Sequence, residues 1–317
     1  MSALRGPRVS GVAALGALLL LVTAPVQAAV QVLVVAGLGG EAEYAERFAA
    51  QAADIARASV PIAGDAQRVR ALSGAAATTA AVEQAVQSLA GTLRSGDQLI
   101  VVLVGHGSFD GSEYRFNVPG PDLTGTRLAQ LLDALPAGVQ QLVVVATSAS
   151  GALAKPLARP QRVLITATKS GGERNATRYG AQWVKALASA EADRDKDGTV
   201  TAQEAHDYAE RQVADGFKAD AALATEHALL TGDGAARFAV ALLGNRARYA
   251  TDAQWQALRG EQQQAEARLQ AARERRAGLA DDAWYAQLEP LLVEIARIDR
   301  RIDAREAQLA AASGATP

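Results

Sequence analysis

The stretch Gln98-Leu99-Ile100-Val101-Val102-Leu103-Val104-Gly105-His106-Gly107 decides the fold. Its apolar, β-branched run reads as a strand buried on both faces, because helices cover both sides of a parallel sheet. Working outward, the same pattern returns in Val32-Leu33-Val34-Val35-Ala36, in Leu142-Val143-Val144-Val145-Ala146 and in Val163-Leu164-Ile165-Thr166-Ala167. Alanine-rich stretches at about 41–58, 75–94, 124–135 and 176–189 fall among these runs, several opened by Thr or Asp caps, and predict helices. This alternation predicts one α/β layered domain with a mostly parallel sheet over residues 29–190. Ligands meet such sheets at the carboxyl ends of the strands, so the residues that follow each run are the candidate functional ones.

The 317 residues include no cysteine, which excludes disulfides, thiolate metal sites and cysteine nucleophiles. Thirty-two basic residues against 34 acidic ones give a formal charge of −2, and no nucleic-acid partner is expected. Arg5 and Arg8 precede the apolar run Val12 to Val22, which Thr23-Ala24-Pro25-Val26-Gln27-Ala28 follows. Residues 1–28 therefore read as a signal peptide cleaved after Ala28 or Ala29, since the run is too short for a membrane span of about 20 residues. The chain is expected to be periplasmic or secreted and soluble after cleavage. Losing the two arginines takes its net charge from −2 to −4. An oxidising compartment would have permitted disulfides, and the protein does without them.

Residues 191–250 are polar, with short helices predicted at about 202–214 and 235–243. Within them Asp193-Arg194-Asp195-Lys196-Asp197-Gly198-Thr199-Val200-Thr201-Ala202-Gln203-Glu204 matches D-x-D-x-D-G-x5-E. Carboxylates at Asp193, Asp195 and Asp197 can converge on a hard cation, Gly198 permits the turn, Thr199 offers its carbonyl, and Glu204 can close the site. Thr201 occupies the remaining ligand position. Helical sequence on both sides makes this an EF-hand-like loop whose expected cofactor is Ca2+. A solvated acidic turn that holds no metal is the other reading. No second such loop occurs, so the site is expected to be structural.

Residues 251–317 change character. Trp255, Leu258, Ala265, Leu269 and Ala272 mark one helical stripe, and Trp284, Leu288, Leu291, Ile295, Ile298, Ile302 and Leu309 mark another. The steps of four and three predict an antiparallel, coiled-coil-like hairpin turning near Gly278 to Asp282, with a kink or late helix start at Pro290. It serves either as an oligomerisation or partner-binding stalk or as a hairpin packed on its own domain.

Three loops follow the buried runs. The first carries Gly105-His106-Gly107-Ser108-Phe109-Asp110-Gly111, the second Thr147-Ser148-Ala149-Ser150-Gly151, and the third Thr168-Lys169-Ser170-Gly171-Gly172-Glu173-Arg174-Asn175. His-Gly after one strand and x-Ser-x-Ser-Gly after the next resemble the caspase and legumain-like, or haemoglobinase-type, cysteine peptidases. The resemblance covers about residues 30–190 and extends to exported bacterial members through the Asp-rich loop, Thr225-Glu226-His227-Ala228-Leu229-Leu230 and the helical tail. It implies a caspase-like layered fold in which His106 is the catalytic base, Gly107 helps form the oxyanion hole, and Ser148 stands where the family keeps its nucleophilic cysteine. A serine hydroxyl needs a well-aligned base, whereas a thiol near pKa 8.5 is already partly ionised, so the exchange normally abolishes turnover. The expected function is a calcium-binding pseudoenzyme that acts as a binding or scaffold module for a peptide or protein at the cleft. The alternatives are a serine-type hydrolase using Ser148 and His106, with Asp110 close in sequence, and a purely structural calcium-binding protein. Arg174 and Lys169 either recognise an anionic group at the cleft or are solvated loop charges.

Gly37-Leu38-Gly39-Gly40-Glu41-Ala42 fits a dinucleotide fingerprint formally, but the second strand candidate, Arg68 to Leu72, lacks the acidic residue that holds a ribose. It reads as a strand-to-helix turn. His206 and His227 each lack a neighbouring imidazole in sequence, and no metal ligation is expected of them.

Overall fold

The computed structural model describes residues 28–276 and 280–313. The signal-peptide segment through Gln27 lies outside the described residues, as do Gly278 and Leu279 of the expected hairpin turn. In chain order the first half runs β1 (Val30–Ala36), α1 (Ala42–Ala63), β2 (Val69–Leu72), α2 (Thr79–Thr92), β3 (Gln98–Val104), β4 (Gly107–Phe109), β5 (Tyr114–Phe116), β6 (Leu123–Thr124), α3 (Gly125–Asp133) and β7 (Gln140–Ala146). The second half runs β8 (Arg162–Thr166), α4 (Tyr179–Ala186), β9 (Thr199–Thr201), α5 (Ala202–Ala219), β10 (Leu229–Thr231), β11 (Ala239–Leu242), α6 (Gly244–Tyr249), α7 (Ala253–Glu274) and α8 (Asp281–Ser313).

Six strands form the central sheet in the order β10-β8-β7-β3-β1-β2, all parallel except β10 at one edge. Because side chains alternate across a strand, each continuous run feeds two cores. Val32, Val34, Ile100, Val102, Leu142, Val144, Val163 and Ile165 join α1, α4 and α5 on one face. Leu33, Val35, Leu99, Val101, Leu103, Val143, Val145 and Leu164 join α2 and α3 on the other. The chain is thus an α/β protein with a mostly parallel sheet, as the buried runs predict. A small antiparallel sheet, β4-β5-β6, grows directly out of β3.

The helix expected at 235–243 is corrected. A single 3-10 turn at Ala235–Arg237 gives way to β11, which pairs antiparallel with β9. The local alanine content favours helix, but burial of Val240 and Ala241 against the loop strand overrides it. Helix α8 runs through Pro290 from Asp281 to Ser313. Trp255, Leu258, Ala265, Ile298 and Ile302 share one apolar cluster with Leu242, Tyr249 and Ala250, and Ile62 of α1 packs on it. The hairpin therefore packs on the domain that carries it, and no described helix is long and apolar enough to cross a membrane.

Candidate functional site

The sheet changes winding direction between β1 and β3: β2 lies on the far side of β1, and all later strands lie beyond β3. Crevices form at the carboxyl ends beside such a switch. His106 follows β3 and Ser148 follows β7. Those strands are neighbours in register, with Val104 opposite Ala146 two residues before each. Gly107 touches the Ser148 segment directly, because a Cβ on it would stand 2.6 Å from the Ser148 carbonyl oxygen and 2.8 Å from Thr147 Oγ1. The Tyr114 and Thr147 hydroxyls lie 2.6 Å apart, and Thr147 Oγ1 donates to the Ser148 carbonyl at 3.0 Å. The third loop closes on the second. Ala149 N donates to the Glu173 carbonyl at 2.7 Å, and Gly151 N donates to Thr168 Oγ1 at 2.9 Å.

His106 is partly buried and edge-on to two rings of α1, Tyr44 at 4.7 Å and Phe48 at 5.0 Å between centroids. Burial pushes its pKa down and the Arg47 charge adds to this, while a backbone hydrogen bond at Gly39 and the Glu41 carboxylate pull it upward. The imidazole is thus biased toward its neutral form, as a base requires. No hydrogen bond joins it to Ser148, which is 3 % exposed. Ala149, the next residue, has a left-handed backbone with φ 55°, a conformation that costs a residue with a Cβ about 1–2 kcal/mol.

Asp110 does not orient His106. Its carboxylate accepts from the Ser112 and Glu113 amides at 2.9 Å and pairs with Arg115 at 2.6 Å, so these donors in the β4–β5 turn hold its pKa well below the usual carboxylate range. Lys169 leans on Glu173, with Nζ 3.7 Å from its carboxylate, and Arg174 is exposed to solvent. One pair escapes sequence reasoning. His227 Nδ1 lies 2.6 Å from Glu173 Oε1, beside the Ser148 loop, although 54 residues separate the two in sequence. The neighbouring Glu226 accepts from the Arg178 and Tyr179 amides at 2.7 and 2.8 Å, capping the start of α4. His206 is buried in the core with Nδ1 3.1 Å from the Tyr179 hydroxyl.

In the acidic loop, Asp193, Asp195 and Asp197 each present a carboxylate oxygen, and these oxygens lie within 4.8 Å of one another. Asp193 also accepts from the Asp197 and Gly198 amides, Asp197 accepts from Thr199 N, and Lys196 and Gly198 adopt left-handed backbone at φ 59° and 79°. Glu204 stands apart from the trio. Its Oε2 accepts from Thr201 N and Thr201 Oγ1, and its Oε1 accepts from Arg194 N, so Thr201 and Glu204 form the capping box of α5. Arg246 of α6 reaches in from the other side, 3.2 Å from Asp197 and 3.0 Å from Thr199 Oγ1.

No protein-family model and no curated protein matches this chain. Among solved structures it is similar to a protein from Geobacter sulfurreducens, with TM-score 0.46 and 15% identity over 68% of this chain and 100% of that one. It is also similar to caspase-1 from Spodoptera frugiperda, with TM-score 0.46 and 11% identity over 65% of this chain and 87% of that one. Both likenesses fall below a TM-score of 0.5.

Proposed function

We propose that the chain is an exported caspase-like pseudo-peptidase that binds a peptide-like partner at the ends of β3 and β7 and holds Ca2+ on the loop 193–204. The pairing of His106 with Ser148 carries this reading. A neutral-biased imidazole and a serine leave adjacent strands at the same end of the sheet, with Gly107 pressed against the Ser148 carbonyl. A thiol is intrinsically ionisable, whereas a serine hydroxyl must give up its proton to a well-aligned base, so serine at this position favours binding over turnover. The turns after β1 and β8 expose Leu38 and the Arg174 charge, groups suited to an extended peptide.

A fluorophosphonate probe tests it. We expect no labelling of Ser148 above the level of Ser148→Ala and His106→Ala, and recovered peptide cleavage in Ser148→Cys. Specific labelling of Ser148 in the wild type would overturn the inactive reading. That outcome would support the serine-hydrolase alternative, which the strained backbone at Ala149 favours, because stored strain clusters at reacting residues.

Three convergent carboxylates are a hard-oxygen donor set, to which the Thr199 carbonyl would add, and they fit calcium in kind. Asp193, Asp195, Asp197 and the Thr199 carbonyl would hold the ion, with Thr201 and Glu204 at the far side of the loop. The ion would supply charge neutralisation among the carboxylates and fix the loop between α4 and α5. Calcium titration followed by thermal melting is the check. Calcium-dependent stabilisation that is lost in Asp193→Ala and Asp195→Ala supports the site, and equal behaviour of all three proteins refutes it.

A further inference from the structure

We infer that peptide-bond cleavage between Ala28 and Ala29 creates an α-ammonium that forms an ion pair with Asp97, so that the processed amino terminus is a built-in stabilising group of the mature fold. The inference rests on the export reading above and on a contact within the described residues. Ala29 N donates to Asp97 Oδ1 at 2.7 Å, and the Ala29 carbonyl accepts from Gln98 N at 2.9 Å. Ala29 is thereby tied to β3 just ahead of the first β1–β3 pair, Val30 with Gln98. Cleavage one residue later would delete both bonds, whereas cleavage after Ala28 keeps them. Val26-Gln27-Ala28 supplies the small residues a signal peptidase needs before that bond.

Asp97 is one charge short of a partner. The residue is 7 % exposed, and its second oxygen, Oδ2, accepts from the Arg94 amide at 2.7 Å. The nearby Arg94 guanidinium does not turn to it. That group donates instead to the Gly91, Thr92 and Leu93 carbonyls at the end of α2. Arg237 and Glu266 line the cavity that Asp97 and Ala28 share, while Asp65, Arg68 and Arg259 line a second cavity on the other side of Ala28. No ion pair joins any of these to Asp97 among the described residues. A buried carboxylate bonded only to neutral amides leaves its desolvation poorly compensated. Hydrolysis supplies the missing charge at the atom already in contact. Water adds to the Ala28 carbonyl and the C–N bond breaks. The new oxygen stays on Ala28 as carboxylate, and the electron pair goes to the Ala29 nitrogen, which takes up protons. The departing leader empties the Ala28 side of both cavities, leaving room for the extra N–H groups.

An α-amino group titrates near pH 8 when free, and a carboxylate partner raises that value in the folded state. The added stability is therefore fully present below about pH 8 and disappears as pH rises through the raised folded value. Three readings test this. The mass of the protein recovered after export from a bacterial host should match a chain beginning at Ala29, and any other first residue overturns the cleavage assignment. Two chains are then melted side by side, one starting at Ala29 and one retaining Gln27 and Ala28. The Ala29 chain should melt several degrees higher at pH 7, with the gap closing by pH 10. Asp97→Asn should abolish the gap at pH 7. Equal melting of the two chains, or a gap that survives Asp97→Asn, overturns the ion pair. The melting comparison does not use export, so failure of the export reading shows only in the mass.

Discussion

Gly107 shows how narrowly the site is built at the residue scale. A methyl group on it would meet main-chain and buried hydroxyl atoms, not a flexible side-chain tip, so Gly107→Ala must push the β3 exit away from the Ser148 segment. We expect a loss of about 1–3 kcal/mol in stability by denaturant unfolding, from overpacking. In the Ser148→Cys background the same change should remove recovered cleavage. His206 gives a pH prediction. Burial lowers its pKa, so below about pH 6.5 the unfolded chain takes up a proton that the folded chain refuses, and stability falls as pH drops. His206→Gln should melt with a smaller decline between pH 7 and pH 5 than the wild type; an identical decline would assign the acid sensitivity to other groups. Of the site, His106 and Ser148 are legible in sequence because each sits at a fixed offset from a recognisable strand. The Glu173–His227 pair is not, since only the antiparallel return of β10 beside β8 brings residue 227 back to the loop after β8.

At the scale of elements, the strands of the parallel sheet are legible to within a residue or two, because burial on both faces erases polar interruptions. The edge tells a different story. Strand β2 is half exposed, with Arg70 and Ala71 facing solvent, and only Leu72 enters the core deeply. Strand β11 is illegible because its partner is a three-residue strand inside the acidic loop. That pairing has a function in the fold: Val200 is fully buried opposite Ala241, so β11 braces the loop as a second hand would. The brace at the other end of the sheet is Arg162, whose guanidinium donates to Gln141 Oε1, the Leu157 carbonyl and Asp133 Oδ1. Asp133→Ala would strand this buried cation. A cost of about 3–5 kcal/mol is expected in equilibrium unfolding, far above that of an exposed pair.

Across the whole molecule, Arg246 joins the parts that the sequence presents as separate segments. Besides Asp197 and Thr199 it reaches Glu306 of α8 at 3.5 Å, and the same Glu306 accepts from Trp255 Nε1 at 2.9 Å. If the loop holds Ca2+, the cation and Arg246 are like charges drawing on one carboxylate. Arg246→Gln should then tighten calcium binding about fivefold, as expected from removing about 1 kcal/mol of repulsion at partly exposed distances. Isothermal titration would show it, and unchanged or weaker affinity would mean that Arg246 and the ion do not share Asp197. By reciprocity, calcium would weaken the grip of Arg246 on the loop by the same factor.

The hairpin seam also has a meaning in time. A chain emerging residue by residue can assemble β1, β2 and β3 once Val104 is out, since their pairings lie within the first third of the sequence. Ile62 on α1 must wait for α7 and α8, with roughly 190 residues of synthesis between it and Trp255. Until then Leu242 and Tyr249 lack the cover that α7 and α8 give them, and Ile62 is held by the α/β core alone. The last helices are thus the step that ends the folding chain's exposure, and a chain truncated before Trp255 leaves behind a sheet that is formed but still adhesive.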